Sequence, residues 1–265
     1  MKISVCGKGG SGKSSIVTLL ANEARNRDYR VLVVDSDESN LGLSRMLGFD
    51  RAPVPLMELV GGKRGLKQKM NQPQVLAQAE IWLRDIPSEH MLEKNRICLV
   101  AIGKILQSLE GCACPMGVLS REFLRKLHLK DKEIAIVDME AGVEHFGRGV
   151  ETSIDNVLVV VEPSLESIML AERVNSLATG SGVSNTWAVL NKVNSAGMAS
   201  KLRRELSKMS MGVIGAIHNH AEIFEACFEG RPLGGGKAGK EIGEVLDSLL
   251  SEDKSGDGGS RNNLK

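Results

Sequence analysis

Short runs of aliphatic and β-branched residues alternate along most of this chain with longer stretches of helical period. The runs typical of strands are Lys2–Cys6, Arg30–Asp35, Ile97–Ile102, Glu133–Asp138, Asn156–Val161, Thr186–Leu190 and Val213–Ile217. Helical periodicity predicts helices at Lys13–Arg27, Gly117–Leu129, Leu165–Ala178, Ala199–Met209 and Lys237–Leu250. Because most of the strands are continuously apolar, both of their faces should be covered by these helices. The pattern predicts a doubly wound α/β fold with a mainly parallel sheet.

Two regions depart from this alternation. Residues 50–95 contain several prolines and the basic stretch 61–69, and we interpret them as a helical insertion on the same core. Residues 251–265 are polar and rich in glycine, so they are expected to form a disordered tail. The 265-residue chain is therefore predicted to hold one domain, residues 1–250, followed by that tail.

Composition and charge exclude several classes of protein. The chain is 42% hydrophobic and 25% charged, which is ordinary for a globular domain and excludes a disordered or fibrous chain. Its 34 Lys and Arg residues balance 33 Asp and Glu residues, so its overall charge does not attract nucleic acid or anionic lipid. There is no run of about 18 apolar residues and no signal-like segment at the start. We expect a cytoplasmic protein with neither a nucleic-acid nor a membrane partner.

A glycine-rich segment, Gly7-Lys8-Gly9-Gly10-Ser11-Gly12-Lys13-Ser14, lies between a predicted strand and helix and fits the phosphate-loop pattern G-x-x-x-x-G-K-[ST]. Lys13 is expected to reach the β- and γ-phosphates, and the Ser14 hydroxyl to bind Mg²⁺. The expected nucleotide contacts are Gly9, Gly10, Ser11, Gly12, Lys13, Ser14 and Ser15. A similar segment, Gly234–Lys240, is followed by Glu241, whose charge would repel a triphosphate, and is interpreted as a loop. The fold is therefore predicted to be that of a P-loop NTPase.

Acidic residues follow two of the predicted strands. Asp35 and Asp37 follow one strand and Asp138 ends another, at the sheet edge where open α/β folds bind ligands. Asp138 is suited to hold Mg²⁺ directly or through water, while one of the other two would support the metal and the second would orient the attacking water. Each acidic segment, taken alone, is also compatible with a helix cap or a turn.

Lys8 adds a second lysine to the phosphate loop, which then resembles the deviant loop of the superfamily that includes MinD, ParA and the nitrogenase iron protein. The resemblance implies a dimer enclosing two ATP molecules, in which Lys8 contacts the nucleotide of the partner chain. It further implies that Asp35 binds Mg²⁺ through water and that Asp37 positions the lytic water. Lys8, Lys13 and Asp37 are thus the expected catalytic residues, and a lysine supplied by a second chain would couple hydrolysis to assembly.

The same resemblance implies that Asn191 hydrogen-bonds adenine, although an ordinary turn asparagine is the alternative. The chain departs from the superfamily after its seventh predicted strand. Where the superfamily usually has Ile-Pro-x-Asp, this chain has Ile217-His218-Asn219-His220, so the loop beside the purine is expected to differ. Two histidines this close together are also compatible with a metal site, but the sequence places no carboxylate or thiol beside them, so we interpret them as surface residues.

Five cysteines are too few and too unevenly spaced for a disulfide framework, and two of them, Cys112 and Cys114, form a Cys-x-Cys pair. A glycine before and a proline after the pair favour a turn that lets both thiols converge on an ion. Thiophilic ions such as zinc are stably held by four ligands, and a two-fold axis would double two thiols to four. The pair therefore predicts a metal, zinc or nickel, shared between two chains; two incidental cysteines are the alternative.

The cysteine segment and the run Glu140–Arg148 resemble the CooC-type accessory ATPases, which support nickel insertion into carbon monoxide dehydrogenase. The resemblance implies a homodimeric ATPase that uses ATP and Mg²⁺, binds Ni²⁺ or Zn²⁺ through Cys112 and Cys114, and serves carbon monoxide dehydrogenase as its client. Two other functions stay open. A MinD- or ParA-like positioning ATPase would bind membrane or DNA, and an iron–sulfur electron carrier would resemble the nitrogenase iron protein, whose cysteine ligands are more widely separated.

Overall fold

The computed structural model describes residues 1–104, 114–147, 149–183 and 185–257. The strands of this part of the chain are β1 (Lys2–Gly7), β2 (Arg30–Asp35), β3 (Ile81–Trp82), β4 (Leu92–Lys94), β5 (Ile97–Ala101), β6 (Leu127–His128), β7 (Glu133–Asp138), β8 (Asn156–Val161), β9 (Thr186–Val193) and β10 (Gly212–His218). Its α-helices are α1 (Lys13–Asn26), α2 (Leu43–Met46), α3 (Gly62–Lys69), α4 (Cys114–Lys126), α5 (Glu144–Gly147), α6 (Leu165–Gly180), α7 (Ala196–Lys208), α8 (Ala221–Glu229) and α9 (Gly236–Asp257).

The central sheet has eight strands in the order β10-β9-β8-β1-β7-β2-β5-β4. Its pairs are parallel except for the edge pair between β4 and β5. Because the other strands run in one direction, the carboxyl ends of β1, β2, β7 and β8 lie at the same edge of the sheet. The doubly wound, mainly parallel α/β fold predicted from the sequence is confirmed, as one domain.

Apolar side chains cover both faces of the sheet, as the continuously hydrophobic strands require. Along β2, Val31 and Val33 belong to one buried layer, which includes residues of α1 and α9. Leu32 and Val34 face the opposite layer, which α4, α6, α7 and the insertion complete. The sheet edge that bears the phosphate loop is therefore supported by packed helices on both faces.

The insertion is more mixed than the predicted helical segment. It contains a 3-10 turn at Leu56–Val60 and the helix α3, but also β3 and β4. Strand β3 pairs with β6, and this pairing ends α4 at Lys126, although the periodicity predicted a helix up to Leu129. The basic stretch becomes α3, whose Leu66 is buried in the core.

The last helix also differs from the prediction. Helix α9 continues to Asp257, past Ser251, where the disordered tail was predicted to begin. Residues 258–265 lie outside the described part of the chain, so the predicted tail is not tested there. Over residues 1–104, 114–147, 149–183 and 185–257, no helix is long and apolar enough to cross a membrane.

Candidate nucleotide site

The glycine-rich segment forms the turn from β1 into α1. Gly10 and Gly12 have φ angles of 79° and 96°, a backbone conformation that favours glycine. A Cβ at Gly12 would also collide with the amide nitrogen of Asn191. The turn is closed by the Ser11 N–H, which donates to the Lys8 carbonyl at 3.1 Å. Since α1 begins at Lys13, its first N–H groups point toward this turn, the usual arrangement of a phosphate site.

Ser14 and Asp138 meet at the first turn of α1. The Ser14 hydroxyl donates to Asp138 Oδ2 at 2.6 Å, and the Asn40 amide donates to Ser14 Oγ at 2.7 Å and to Asp138 Oδ2 at 3.2 Å. Asp138 is fully buried. Burial raises the pKa of Asp138 to about 6, although the hydrogen bond from Ser14 and the charge of Lys13 oppose the shift.

Asp35 is buried at the end of β2 and forms an ion pair that the sequence did not reveal. Its Oδ2 lies 2.7 Å from Lys104 Nζ, and both side chains are only 8% exposed. Burial raises the pKa of Asp35 to about 7, against the opposing effect of Lys104. Lys104 Nζ also donates to the carbonyls of Asp37 and Asn40. Lys104 therefore holds residues 35–40, which we call the acidic loop.

Asp37, the expected water-positioning residue, turns toward its own loop. Its Oδ1 accepts hydrogen bonds from the Ser39 N–H at 3.0 Å and from the Ser39 hydroxyl at 2.6 Å. The structure thus brings Asp37 to the same sheet edge as Asp138. Its role in orienting water stays a prediction.

The residues at this edge fit a magnesium ion. Asp35 Oδ1 and Asp138 Oδ1 are both buried, and neither has a hydrogen-bond partner within the described residues. A buried carboxylate oxygen without a donor is costly, and Mg²⁺ prefers oxygen ligands of this kind. Ser14, Asp35 and Asp138, the predicted magnesium residues, therefore form one cluster beside the phosphate loop.

Lys8 is held within its own chain. Its Nζ lies 3.2 Å from Glu162 Oε1 and 2.8 Å from Glu166 Oε2, and hydrogen bonds to Glu166 and Glu162 raise the pKa of Lys8. Lys192 Nζ shares Glu162, at 3.2 Å, and donates to the Gly10 carbonyl. Lys13 is buried, with its Nζ 3.5 Å from the Lys8 carbonyl. A contact of Lys8 with a second chain would require release from both glutamates.

A cleft beside the phosphate loop contains the predicted base-binding residue. Asn191 lies within β9 rather than after it, and its amide donates to the Ser11 carbonyl at 2.8 Å. Ser15, another predicted contact, lines the same cleft, with its Oγ 3.9 Å from Cys227 Sγ. Other cleft residues are Gly10, Gly12, Ile16, His218, His220, Ile223 and Phe224. This position is compatible with the predicted adenine contact of Asn191.

The two histidines of the cleft have a carboxylate between them, contrary to the sequence interpretation. Glu241 Oε1 lies 2.7 Å from His218 Nδ1, and Glu241 Oε2 lies 2.9 Å from His220 Nε2. Glu241 Oε2 also accepts the His218 N–H. The second glycine-lysine segment, by contrast, leads into α9 at Gly236. Glu241 therefore stabilises the loop after β10 instead of standing beside a second phosphate site.

The predicted thiol site falls mostly outside the described residues. Cys112 lies in 105–113 and the side chain of Cys114 is likewise not described, although Cys114 begins α4. Cys6 and Cys98 are buried and Cys227 is exposed. Within the described ranges, no group of three or more His, Cys, Asp or Glu side chains is arranged to hold a metal ion. The metal prediction for Cys112 and Cys114 is therefore not tested.

Sequence reasoning missed Lys104, Asn40, Glu162 and Glu166. Lys104 and Glu162 both follow apolar strands, so the rule that singled out Asp35 and Asp138 would have found them had it been applied beyond aspartate. The ion pairs of Glu166 and the contacts of Asn40 depend on residues far away in the chain, and no local pattern signals them.

Comparison with known proteins identifies the family. Residues 3–233 match the CobQ/CobB/MinD/ParA nucleotide-binding domain. An uncharacterized ATP-binding protein of Methanocaldococcus jannaschii is 43% identical over 93% of this chain and 97% of its own. The carbon monoxide dehydrogenase accessory protein CooC of Rhodospirillum rubrum is 34% identical over 74% and 75%, respectively.

Solved structures share the fold. MinD of Pyrococcus horikoshii, complexed with Mg-ADP, superposes with a TM-score of 0.69 at 16% identity, covering 96% of this chain and 98% of that one. MinD of Aquifex aeolicus gives a TM-score of 0.67 at 17% identity, with coverage of 94% and 96%. The chain belongs to the CobQ/CobB/MinD/ParA family of nucleotide-binding domains.

Proposed function

We propose that this protein is a homodimeric ATPase that binds nickel or zinc through Cys112 and Cys114 and supports nickel insertion into carbon monoxide dehydrogenase. The cluster of Ser14, Asp35 and Asp138 beside the phosphate loop is the observation that supports ATP hydrolysis. Two carboxylate oxygens of this cluster are buried and have no hydrogen-bond partner within the described residues. The likeness to CooC supports the maturation role.

The chain's own residues supply most of the chemistry of hydrolysis. The first N–H groups of α1 bind the phosphates, and Lys13 neutralises charge on the transferred group. Asp37, once released from Ser39, orients the attacking water. Ser14, Asp35 and Asp138 would hold Mg²⁺, which when bound offsets the charge of the β- and γ-phosphates.

Dimerisation completes the site by adding a second lysine. Lys8 lies at the rim of the phosphate loop, and α6 beside it exposes two large apolar side chains, Leu165 and Met169, with 72% and 58% of their surface in solvent. Leu41, just after the acidic loop, is 73% exposed. Exposed apolar side chains bordered by charged residues are typical of an interaction surface. A second copy of the chain would bury them and place Lys8 against its nucleotide.

The proposed metal site at Cys112 and Cys114 is argued from the number of sulfur ligands. Two thiolates from each of two chains make the four sulfur ligands that zinc prefers, while nickel accepts a flattened arrangement. The bound ion is cargo for delivery rather than a catalyst in this reaction. Hydrolysis changes the geometry of the dimer, and this change releases the ion to the client enzyme.

Elemental analysis tests the metal assignment. The dimer isolated with Mg²⁺ and a non-hydrolysable ATP analogue should hold one zinc or nickel ion per two chains, and the double variant Cys112→Ser/Cys114→Ser should hold none while binding the analogue normally. Cys227→Ser, which removes an exposed thiol elsewhere, is the matched control and should keep the ion. An unchanged metal content in the double variant would refute the assignment.

A MinD-like positioning function is the second candidate, because MinD proteins are about 24% identical over 86% of this chain. It requires a surface for membrane or DNA. In α9 the apolar residues Ile242, Val245, Leu246 and Leu249 are buried in the core, so this face is not available to a lipid surface. ATP-dependent sedimentation with anionic vesicles or DNA would favour the positioning function over metal delivery.

A further inference from the structure

Strand β9 contains a bulge where it passes the phosphate loop. Its pairing with β10 shifts register between Leu190 and Val193, where β9 has two residues, Asn191 and Lys192, and β10 has one. Successive side chains of a regular strand point to opposite faces, and a bulge interrupts this alternation. Asn191 and Lys192, although adjacent in the chain, consequently both contact the phosphate loop.

The two side chains hold two successive carbonyls of the phosphate loop. Asn191 Nδ2 donates to the Ser11 carbonyl at 2.8 Å, and Lys192 Nζ donates to the Gly10 carbonyl. In a trans peptide the C=O and N–H groups point in opposite directions, so these contacts turn the N–H groups of Ser11 and Gly12 away from β9. The contacts with β9 therefore set the direction of donors in the loop.

Lys192 has a backbone conformation that lysine rarely adopts. Its φ angle is 56°, in the left-handed region that favours glycine. The five other non-glycine residues with positive φ in the described part of the chain lie in turns, whereas Lys192 lies within a strand. Glycine is the usual residue at the left-handed position of a bulge. A lysine at this position indicates that its side chain contributes something that glycine could not.

Glu162 fixes the position of the Lys192 ammonium group. Glu162 directly follows β8, its side chain is only 17% exposed, and its Oε2 lies 3.2 Å from Lys192 Nζ. Burial alone would raise the pKa of Glu162, but Lys192 and Lys8 lower it overall, so the carboxylate stays ionised. The Lys192 ammonium group is thus bonded at two points, to the Glu162 carboxylate and to the Gly10 carbonyl.

We propose that Lys192 is a positioning residue of the nucleotide site, which fixes the peptide between Gly10 and Ser11 and keeps the phosphate loop in its binding conformation before nucleotide arrives. A loop that is already ordered loses less conformational entropy when phosphates bind, and so binds them more tightly. The inference rests on the proposed function only for the nucleotide that occupies the loop; the ordering of the loop is a property of the free chain.

Hydrogen exchange of the free chain tests the ordering of the loop. The full chain without nucleotide is incubated in deuterated buffer, and exchange of a peptic peptide that contains residues 7–14 is followed by mass spectrometry. In Lys192→Gly the amides of this peptide should exchange about tenfold faster than in the wild type, because the Gly10 carbonyl has lost a charged donor. Glycine adopts the left-handed conformation without strain, so the variant should keep the fold.

Lys132→Gly is the matched control. Lys132 is exposed in the turn before β7, at the sheet edge opposite the phosphate loop, and has a φ angle of 62°. The variant removes a lysine from the same backbone conformation and should leave exchange of residues 7–14 and affinity for ADP unchanged. Lys192→Arg, whose guanidinium can donate to both Gly10 and Glu162, should stay within about threefold of the wild type in both measurements.

Affinity for pyrophosphate separates an effect on the loop from an effect on the base. Lys192 also lines the cleft that contains Asn191, so a direct contact with the base is the alternative. Calorimetric titration without Mg²⁺ should show that Lys192→Gly weakens binding of ADP and of pyrophosphate by the same factor of about ten. Unchanged affinity for pyrophosphate, or unchanged exchange of residues 7–14, would overturn the inference.

The same measurements separate this inference from the proposed function. A wild type that binds neither ADP nor ATP would refute the proposed ATPase, while exchange of the free chain would still decide whether Lys192 orders the loop. Wild-type exchange, nucleotide affinity and turnover in Lys192→Gly would refute the inference and leave the ATPase intact.

Discussion

Lys8 has two sets of partners that exclude each other. In this structure its Nζ is bound to Glu162 and Glu166, whereas the proposed dimer requires it at the phosphates of a second chain. Glu166 is 76% exposed, and exposed ion pairs contribute little to stability, so breaking that pair costs little. Glu162 is only 17% exposed, but it keeps Lys192 as a second partner when Lys8 leaves.

Replacing Lys8 with Ala should leave ATP binding measurable and reduce turnover by at least about 100-fold, the usual loss when one donor to a developing charge is removed. Phosphate release under saturating ATP measures the effect, and equilibrium binding of a non-hydrolysable analogue is the control. Normal turnover in Lys8→Ala would show that this lysine has no catalytic part.

Replacing Glu166 with Gln should favour formation of the proposed dimer, because Lys8 loses one of the two carboxylates that hold it within its own chain. The ATP-dependent dimer should then form at a protein concentration a few-fold lower than in the wild type, as measured by light scattering over a dilution series. Glu172→Gln changes an exposed glutamate on the same helix and is the matched control. Identical dilution curves for both variants would contradict a restraining role of Glu166.

Acidic pH should weaken magnesium-dependent nucleotide binding. Burial raises the pKa of Asp35 to about 7 and that of Asp138 to about 6, so both carboxyls take up protons as the pH falls from 8 to 6. Protons then compete with Mg²⁺ for the same oxygens. In the absence of Mg²⁺, the folded chain binds more protons than the unfolded chain between the ordinary carboxyl pKa of 3.8 and the raised values, so its stability falls as the pH rises from about 4 toward about 7. Calorimetric titration of Mg-ADP at several pH values, with ADP alone as control, measures the competition; a constant magnesium affinity would contradict it.

At the scale of elements, α4 anchors the insertion through a buried ion pair. Glu122 lies 2.7 Å from Lys126, and its oxygens accept the N–H groups of Val75 and Leu76. Burial alone would raise the pKa of Glu122, but Lys126 and these N–H groups lower it overall. The resulting stabilisation is present above the ordinary value of 4.5 and is lost as the pH falls below it.

Replacing Glu122 with Gln should destabilise the protein by about 3 kcal/mol, because Lys126 is left buried without its charge partner. Urea unfolding followed by circular dichroism measures the change. Glu205→Gln, which breaks an exposed pair with Lys208 on α7, should leave the unfolding midpoint unchanged. Equal midpoints for the two variants would show that the insertion does not depend on the Glu122 pair.

The central sheet was predictable because its strands are continuous apolar runs. A β-branched run such as Asn156–Val161 is typical of a strand that is covered on both faces. Helix α8 was missed because it exposes Phe224 and Phe228 and so lacks a clean apolar stripe. Strand β6 was missed because only its pairing with β3, more than forty residues earlier, makes it a strand. In the site, carboxylates at strand ends were predictable, but their ion pairs with distant lysines were not.

At the scale of the whole molecule, the residues that we assign to the dimer interface lie along one edge of the central sheet. The phosphate loop, Lys8, the exposed Leu41 and the apolar residues of α6 are all found where the parallel strands end. The proposed two-fold axis passes near this edge, so that each chain contributes Lys8 to one site and Lys13 to the other. The cysteine pair is expected to be shared in the same dimer.

Complementation between two inactive variants tests this shared site most directly. Lys8→Ala lacks the lysine that the proposed dimer gives to the partner chain, and Lys13→Met lacks the lysine that acts in its own phosphate loop. In a mixed dimer one of the two sites regains both lysines, so an equimolar mixture should recover about one quarter of the wild-type turnover, although neither variant hydrolyses ATP alone. A mixture as inactive as its components would show that each chain works by itself and would contradict the shared site.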